Sequence, residues 1–546
     1  MMTPRMLICL ALLAAVLMPL PLGAQTAPQA PAAPPEPLMA EAFLAAQAGF
    51  ASQAGAALRQ MEARAASGDG ALANLLRDRQ ALGNRLASVE AALAEPGADR
   101  TLLFGQVDGL HAELEALRLR QAAEFPRFDE ITRPRPLSIA EVQQLLAPDE
   151  AMLMTFVGEN ATYVWAISAR QAGWHMVPAG REAVAGAVQK LRTALDPTAP
   201  ARAAAALEPV PLGKLPFSRS TAFALYSYLF QPLEPVFSRA AHVFIVADGP
   251  LTSLPFSLLI TEWEPGEDDD ADVLRASRWM IRRHALTVLP TVEALRVVRK
   301  MPPPAADRLA FVGFGDPQFE GELEVAALSR GVMRAGLADV DQLRALSPLP
   351  QTRRELLEIS ETLGKSNSVV RLGGQATETA VKAFDLSKAK VLAFATHGLL
   401  SGDLAGLEEP ALVLTPPETA SAADDGLLTA SEIADLRLDA DWVVLSACNT
   451  AGGDRPGAEG LSGLARSFLF AGARSILVSH WPVRDDAAAR LTTDAFARIA
   501  DGTARGRAEA LRQSMLALMA DTRDPSLAHP SAWAPFVLVG EGGAGR

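Results

Sequence analysis

Val391-Leu-Ala-Phe-Ala-Thr-His-Gly398 and Trp442-Val-Val-Leu-Ser-Ala-Cys448 are two short apolar runs, each leading into a residue that carries chemistry. Continuous apolar stretches of this length predict strands buried on both faces, as in a parallel sheet covered by helices. In such folds ligands and reacting groups gather at the carboxyl ends of strands. His397 and Cys448, 51 residues apart, both stand at expected carboxyl ends. A thiol attacks well only as the thiolate, and histidine is the side chain that shuttles a proton near neutral pH. The pair has the layout a cysteine peptidase needs. Gly398 presents an unobstructed backbone N–H beside His397, and the N–H of Cys448 is a second candidate donor to a developing oxyanion. Asn449 and Thr450 lead into Gly452-Gly453, where backbone can come close to a bound chain.

The same pattern extends outward from these runs. Leu309–Gly313, Val369–Leu372, Ala411–Thr415, Ser475–Ser479 and Phe536–Val539 read as strands. Helices are predicted at Thr352–Leu363, Thr377–Phe384, Thr429–Leu436, Gly460–Ala471, Asp485–Ala500 and Gly506–Ala520. An earlier series has strands at Ala151–Val157, Thr162–Ile167 and His242–Ala247 and helices at Ser138–Leu146 and Ala222–Leu229. Short apolar strands separated by helices imply a mostly parallel sheet covered on both faces. Arg133-Pro-Arg-Pro136 marks the start of this region.

Before that boundary the chain has a different character. Arg5, the apolar stretch Met6–Leu20 and the small residues Gly23-Ala24 read as a signal peptide over 1–24, with no transmembrane segment left after its removal. The apolar stretch falls short of the ~20 residues of a membrane span. An uncleaved anchor is the alternative reading. Residues 25–37 form a Pro/Ala-rich linker. Residues 38–132 are predicted as a helical, coiled-coil-like arm. Within it, Leu75, Leu82, Leu86, Val89 and Leu93 recur at heptad-like spacing, as do Leu103, Val107, Leu110, Leu114 and Leu117. The breaker Glu95-Pro-Gly-Ala-Asp99 joins the two series, so an antiparallel hairpin is expected, serving either domain packing or docking of a protein partner.

Composition narrows the function. The chain has 546 residues and a net charge of −13, with no long Lys/Arg tract, which argues against a nucleic-acid partner. Its two cysteines are Cys9, inside the expected signal peptide, and Cys448. Export, to a periplasmic or extracellular location, would leave a single thiol that cannot form an intramolecular disulfide. A lone thiol is either a small buried hydrophobe or a reactive group. No Cys/His cluster suggests zinc, and no phosphate-binding loop or dinucleotide fingerprint appears, so neither metal nor cofactor is expected.

Several ordered blocks then point to a family. ATHG (395–398), DDGLLTASEI (424–433), VVLSACNTAGG (443–453), GAEGLSGLARSFLFAGARSILVSHWPV (457–483) and WAPFVLVG (533–540) closely resemble the CHAT domain family of caspase-like cysteine peptidases, related to caspases and separases. FIVADGPLTSLPFSLL (244–259) and FVGFGDPQF (311–319) resemble blocks upstream in the same family. The resemblance spans roughly 136–542. It implies a caspase-like α/β/α sandwich with His397 and Cys448 as catalytic dyad, preceded here by the helical hairpin. It also implies a peptidase domain over 301–546 and an α/β pseudo-caspase half over 136–300. The implied reaction is peptide-bond hydrolysis in a protein or peptide substrate. A silent scaffold that binds peptides with the same fold is the alternative, and a small-molecule binder is a third reading that the dyad disfavours.

Related enzymes often hold a basic substrate residue in an acidic pocket. Asp424, Asp425 and Glu459 are candidates for that acid, with Glu408 and Glu409 nearby. Each could equally be a solvated or capping residue, and Glu459 stands where a negative charge favours a helix start at 460. His480 is read as either a support for the site or a structural histidine. The acidic run Glu264–Asp272 reads as a surface loop, without the spacing of an EF-hand calcium loop.

Overall fold

Eleven strands join in one twisted sheet, in the order β3-β2-β1-β4-β5-β16-β15-β14-β10-β6-β9. The computed structural model describes residues 38–48, 100–124, 136–195, 217–301, 303–322, 333–334, 337–399, 407, 410–421, 423–446, 462–481 and 485–543, together with positions 75, 78, 79, 82, 85, 86 and 89. The strands are β1 (Glu150–Val157), β2 (Thr162–Ser168), β3 (Ala172–Val177), β4 (His242–Val246), β5 (Ala285–Val288), β6 (Leu309–Gly315), β7 (Met333–Arg334), β8 (Leu337–Ala338), β9 (Ser368–Leu372), β10 (Ala389–Ala395), β11 (Gly398–Leu399), β12 (Ala411–Val413), β13 (Leu427–Thr429), β14 (Trp442–Leu445), β15 (Ser475–Ser479) and β16 (Phe536–Gly540). The main helices are α1 (Arg100–Glu124), α2 (Ile139–Leu145), α3 (Arg181–Leu195), α4 (Arg219–Leu229), α5 (Val292–Arg299), α6 (Pro350–Leu363), α7 (Glu378–Ala383), α8 (Ala430–Asp435), α9 (Ser462–Ala471), α10 (Asp485–Ala500) and α11 (Arg507–Met519).

The central strands β10, β14 and β16 are apolar at almost every position because both faces are covered. In β10, Val391, Ala393 and Ala395 enter one core, shared with Leu356 and Ile359 of α6 and Phe496 of α10. Leu392 and Phe394 enter the other, shared with Val381 of α7, Ile433 of α8 and Phe468 of α9. β14 alternates likewise, Trp442 and Val444 to the first core and Val443 and Leu445 to the second. The result is the expected three-layer α/β/α sandwich. Helix starts follow local chemistry: Ser138 with Glu141 and Thr429 with Glu432 each form a capping box, at the starts of α2 and α8.

Strand direction sets where a site can form. β9, β6, β10, β14 and β15 are parallel, and β16 runs antiparallel to β15. The chain starts this half at β6, steps outward to β9, then crosses to the other side of β6 at β10. That reversal opens a crevice at the carboxyl ends of β6 and β10, the place where open α/β sheets take their ligands. In the other half β1, β4 and β5 are parallel, with β2 and β3 added antiparallel. The halves meet where β16 pairs in parallel with β5, Val539 opposite Val288. A buried ion network reinforces this join. Arg299 of α5 donates through Nη2 to both oxygens of Glu150 on β1 at 2.6 Å, and through Nη1 to Glu541, just past β16, at 3.1 Å.

Two glycines let a helix approach the crevice closely. A Cβ at Gly315 would stand 2.6 Å from the Leu356 side chain and 2.8 Å from the carbonyl oxygen of Ala395. At Gly313 it would meet the Phe311 ring at 2.9 Å. The Gly-Phe-Gly end of β6 therefore lets α6 lie close against the sheet beside the carboxyl end of β10.

The signal peptide and linker expected over 1–37 lie outside the described residues. Of the arm, α1 is present and its predicted seam is its inner side: Leu110 is buried and Leu103, Val107, Leu114 and Leu117 are half-buried, while Gly105, Gln106, Gly109 and His111 are exposed. Leu75, Leu82, Leu86 and Val89 are helical, whereas Leu93 and the breaker Glu95–Asp99 lie outside the described residues. Residues 38–48, expected as part of the arm, instead pack on the sheet. Phe43 is fully buried with its ring 6.0 Å from that of Trp165. Gln47 joins the backbone of Leu137 by two hydrogen bonds of 2.9 Å, one in each direction. Among the described residues no helix is long and apolar enough to cross a membrane.

Candidate functional site

His397 stands two residues beyond β10, at the switch-point crevice. Its backbone is held by a small antiparallel sheet, β11-β12-β13, that branches off the main one. The N–H of Val413 donates to the His397 carbonyl at 2.9 Å. The Thr396 hydroxyl donates to the carbonyl of Val413. Gly398 pairs with Leu412 in a register whose flanking residues carry the hydrogen bonds, so the Gly398 N–H points away from β12.

The imidazole is 6% exposed. Nε2 lies 2.9 Å from the carbonyl oxygen of Ser347, and the ring packs 5.4 Å from that of Phe319. A carbonyl can only accept, so this bond puts the proton on Nε2 and leaves the lone pair of the neutral ring on Nδ1. Ser347 precedes α6 and Phe319 follows β6, so both close on the histidine from the crevice side.

Cys448 and Glu459 lie outside the described residues, as do Glu408 and Glu409. The approach to Cys448 is described as far as Ser446, whose N–H donates to Phe394 of β10 at 3.0 Å. β14 is paired with β10 from Val391↔Trp442 to Phe394↔Leu445, so the two strands end level. The Ser446 hydroxyl donates to Glu355 of α6 at 2.8 Å.

Asp424 and Asp425 use their carboxylates locally. Asp424 accepts from the N–H and hydroxyl of Thr379 at 3.1 and 2.6 Å. Asp425 accepts the N–H groups of Ala338 and Leu427 at 2.8 and 3.0 Å, and burial holds its carboxyl above the usual range. His480, at the end of β15, is 2% exposed, and burial together with the charge of Arg192 pushes it down to about 3. It is therefore neutral, and its Nδ1 has no hydrogen-bond partner. The acidic run is tied down by the buried Arg219, which donates to the carbonyls of Glu264 and Gly266 at 2.7 and 3.1 Å.

The crevice contains residues that sequence reading did not single out. Asp316, directly after β6, has φ 50°, the one positive φ outside glycine among the described residues. Its carboxylate pairs with Arg353 at 2.5 Å, its N–H donates to the Thr352 hydroxyl at 3.0 Å, and its carbonyl accepts from Gly373. A left-handed residue held from three sides at a switch point is the kind of strain that collects at functional sites. Its block, FVGFGDPQF, was visible in the sequence, but nothing there marked the backbone angle. Arg353 also borders an open groove of about 600 Å³ between α6 and α10, lined by Leu357, Glu358 and Thr493 among others. Among the described residues no group of three or more His, Cys, Asp or Glu side chains is placed to hold a metal ion.

The family model of the CHAT domain matches residues 219–541. Tetratricopeptide repeat protein 28 of Mus musculus is 28% identical over 365 residues, 58% of this chain, and its Homo sapiens counterpart 27% identical over 372 residues, 59% of this chain. The match takes in only 13% of the length of either relative. Among solved structures, the Saccharomyces cerevisiae separase–securin complex aligns with a TM-score of 0.45 at 9% identity, over 77% of this chain and 31% of that one. The Arg-specific cysteine proteinase gingipain R aligns with a TM-score of 0.35 at 9% identity, over 60% and 68% of the two chains.

Proposed function

The chain belongs to the CHAT domain family, and from that premise we propose that it is an exported cysteine endopeptidase that cleaves a protein substrate through His397 and Cys448. The observation that carries this reading is the hydrogen bond from the His397 ring to Ser347 at 2.9 Å. With Nε2 occupied, Nδ1 is the atom that exchanges protons with the reacting groups. The Cys448 thiolate adds to the scissile carbonyl carbon. The oxyanion is met by the N–H groups of Gly398 and Cys448, which stabilise charge that develops only in the transition state. His397, protonated at Nδ1, gives its proton to the leaving amine, and an acyl-enzyme remains on sulfur. Water then attacks the thioester carbonyl, Nδ1 takes its proton, and the acid product leaves as the thiolate returns.

Asp424, Asp425 and Glu459 stay as proposed acids for a basic substrate side chain. Asp424 and Asp425 would have to serve that role alongside the backbone N–H groups they already hold. Export rests on residues 1–24, and the arm on 38–132 is proposed to receive a protein partner.

A second reading, a scaffold that binds peptides without cutting them, is favoured by the curated relatives, whose name records repeats and no peptidase activity. Comparison of new protein N-termini produced by wild type and Cys448→Ala in exported-protein extracts separates the two. Cleavages present with wild type and absent with the variant are expected. Identical N-terminal profiles with partners present would sink the peptidase reading and leave the scaffold.

A further inference from the structure

We infer that the triad Glu378–Lys382–Glu432, with Glu378 buried and its two partners at the surface, is a positioning device for His397, acting by clamping both ends of strand β13. Glu378 opens α7 and is 1% exposed. Its Oε2 accepts two successive backbone N–H groups, those of Asp425 at 2.9 Å and Gly426 at 3.1 Å, immediately before β13. At the other end of the strand, Glu432 accepts the N–H and hydroxyl of Thr429 at 2.9 and 2.7 Å. Lys382 ties the two acids together. It donates to Glu378 through one hydrogen bond and to Glu432 through another at 2.9 Å. A strand of three residues, Leu427–Thr429, therefore has a carboxylate at each end and a single cation bridging them.

The clamp reaches the histidine through the ladder. β13 pairs with β12, Leu427 opposite Val413 and Thr429 opposite Ala411. β12 in turn holds Thr396, His397 and Gly398 through the bonds of Val413 and the Gly398↔Leu412 pair. Gly426, at φ 86°, completes the entry, because a Cβ there would stand 3.0 Å from the Cα of Pro416. Buried carboxylates that accept several backbone N–H groups are strong anchors, and removing one leaves those donors unsatisfied.

Lys382 also donates to the Ala423 carbonyl at 3.1 Å, and the charges facing the triad are Asp425 and Asp435, so carboxylates outnumber the one lysine. Burial, with the charge of Glu432, pushes Glu378 up to about 7. A raised carboxyl favours the protonated form when folded, so its contribution is complete below the ordinary value near 4.5 and is lost as pH rises through about 7.

The test is backbone hydrogen exchange on the full chain, for wild type, Glu378→Ala, Glu378→Gln, Lys382→Met and the control Glu358→Ala on the outer face of α6. Glu378→Ala and Lys382→Met are expected to speed exchange about tenfold or more, both at 425–429 and at 396–399 and 411–413. The control should leave these segments unchanged. Glu378→Gln keeps an oxygen for the two N–H groups and should hold the segments while removing the loss of protection that wild type shows above pH 7. In parallel, the ¹⁵N signature of the His397 ring, assigned by its absence in His397→Ala, should move from the Nε2–H form toward a mixture of tautomers in Lys382→Met. Faster exchange confined to 425–429, or an unchanged ring signature, overturns the inference. Should Glu378→Ala fail to fold, Lys382→Met and Glu378→Gln decide by the same criteria. The inference matters to chemistry through the proposed use of His397. Neither readout requires cleavage, so failure here leaves the peptidase reading intact, and failure of that reading leaves the clamp.

Discussion

At the scale of single residues, the chemistry turns on one proton. The Ser347 carbonyl assigns it to Nε2 of His397, and in the proposed mechanism the other nitrogen exchanges protons with the reacting groups. If Cys448 is activated this way, its alkylation in a chain lacking residues 1–24 should already be fast below the free-thiol pKa of about 8.5. In His397→Ala the rate should follow an ordinary thiol and rise only above it; identical pH profiles for the two proteins would rule out activation by His397. The histidine and the glycine after it were legible in the sequence, because a run of strand-forming residues ends there. Ser347 was not, since its contribution is a backbone oxygen brought from 50 residues away. Asp316 was equally hidden: its left-handed backbone leaves no trace in residue type.

At the scale of elements, burial on both faces made most strands readable. β10, β14, β15 and β16 carry apolar residues at every position or nearly so, and each was expected where it lies. β3, reading Ala-Gly-Trp-His-Met-Val, lacks that signature because it is an edge strand with half-exposed residues. β5 has only four residues. α3 did carry a signal, Val184, Val188, Leu191 and Leu195 at helical spacing, which reading for strands passed over. Packing between elements was not legible. The meeting of α6 with the end of β6 depends on Gly315 having no side chain, and Gly315→Ala should lower stability by about 1–3 kcal/mol through overpacking against Leu356 and Ala395. Denaturant titration measures it, and a midpoint equal to wild type would show that α6 can shift at no cost.

At the scale of the whole molecule, two halves that the sequence divides near residue 300 share one sheet, joined by a strand pair and by Arg299. Burial raises the Glu150 carboxyl, but His242 and Arg299 outweigh it and hold it down to about 2. A depressed carboxyl stabilises above its ordinary value near 4.5, and that stability is lost as pH falls toward 2. Glu150→Ala, which leaves Arg299 buried with half its partners, should cost about 3–5 kcal/mol at pH 7 and less at pH 3, read from denaturation midpoints. Equal losses at both values would exclude the ion pair as the cause. Gln47 and Leu137, 90 residues apart in sequence, meet through two hydrogen bonds at the sheet's outer cover. The two ends of the stretch 48–136 are thus tied to each other on the sandwich. Closing a longer or shorter stretch between those ends changes the entropy only logarithmically. An insertion or deletion between residues 48 and 136 should therefore cost little stability, since its two ends are already pinned together on the sandwich.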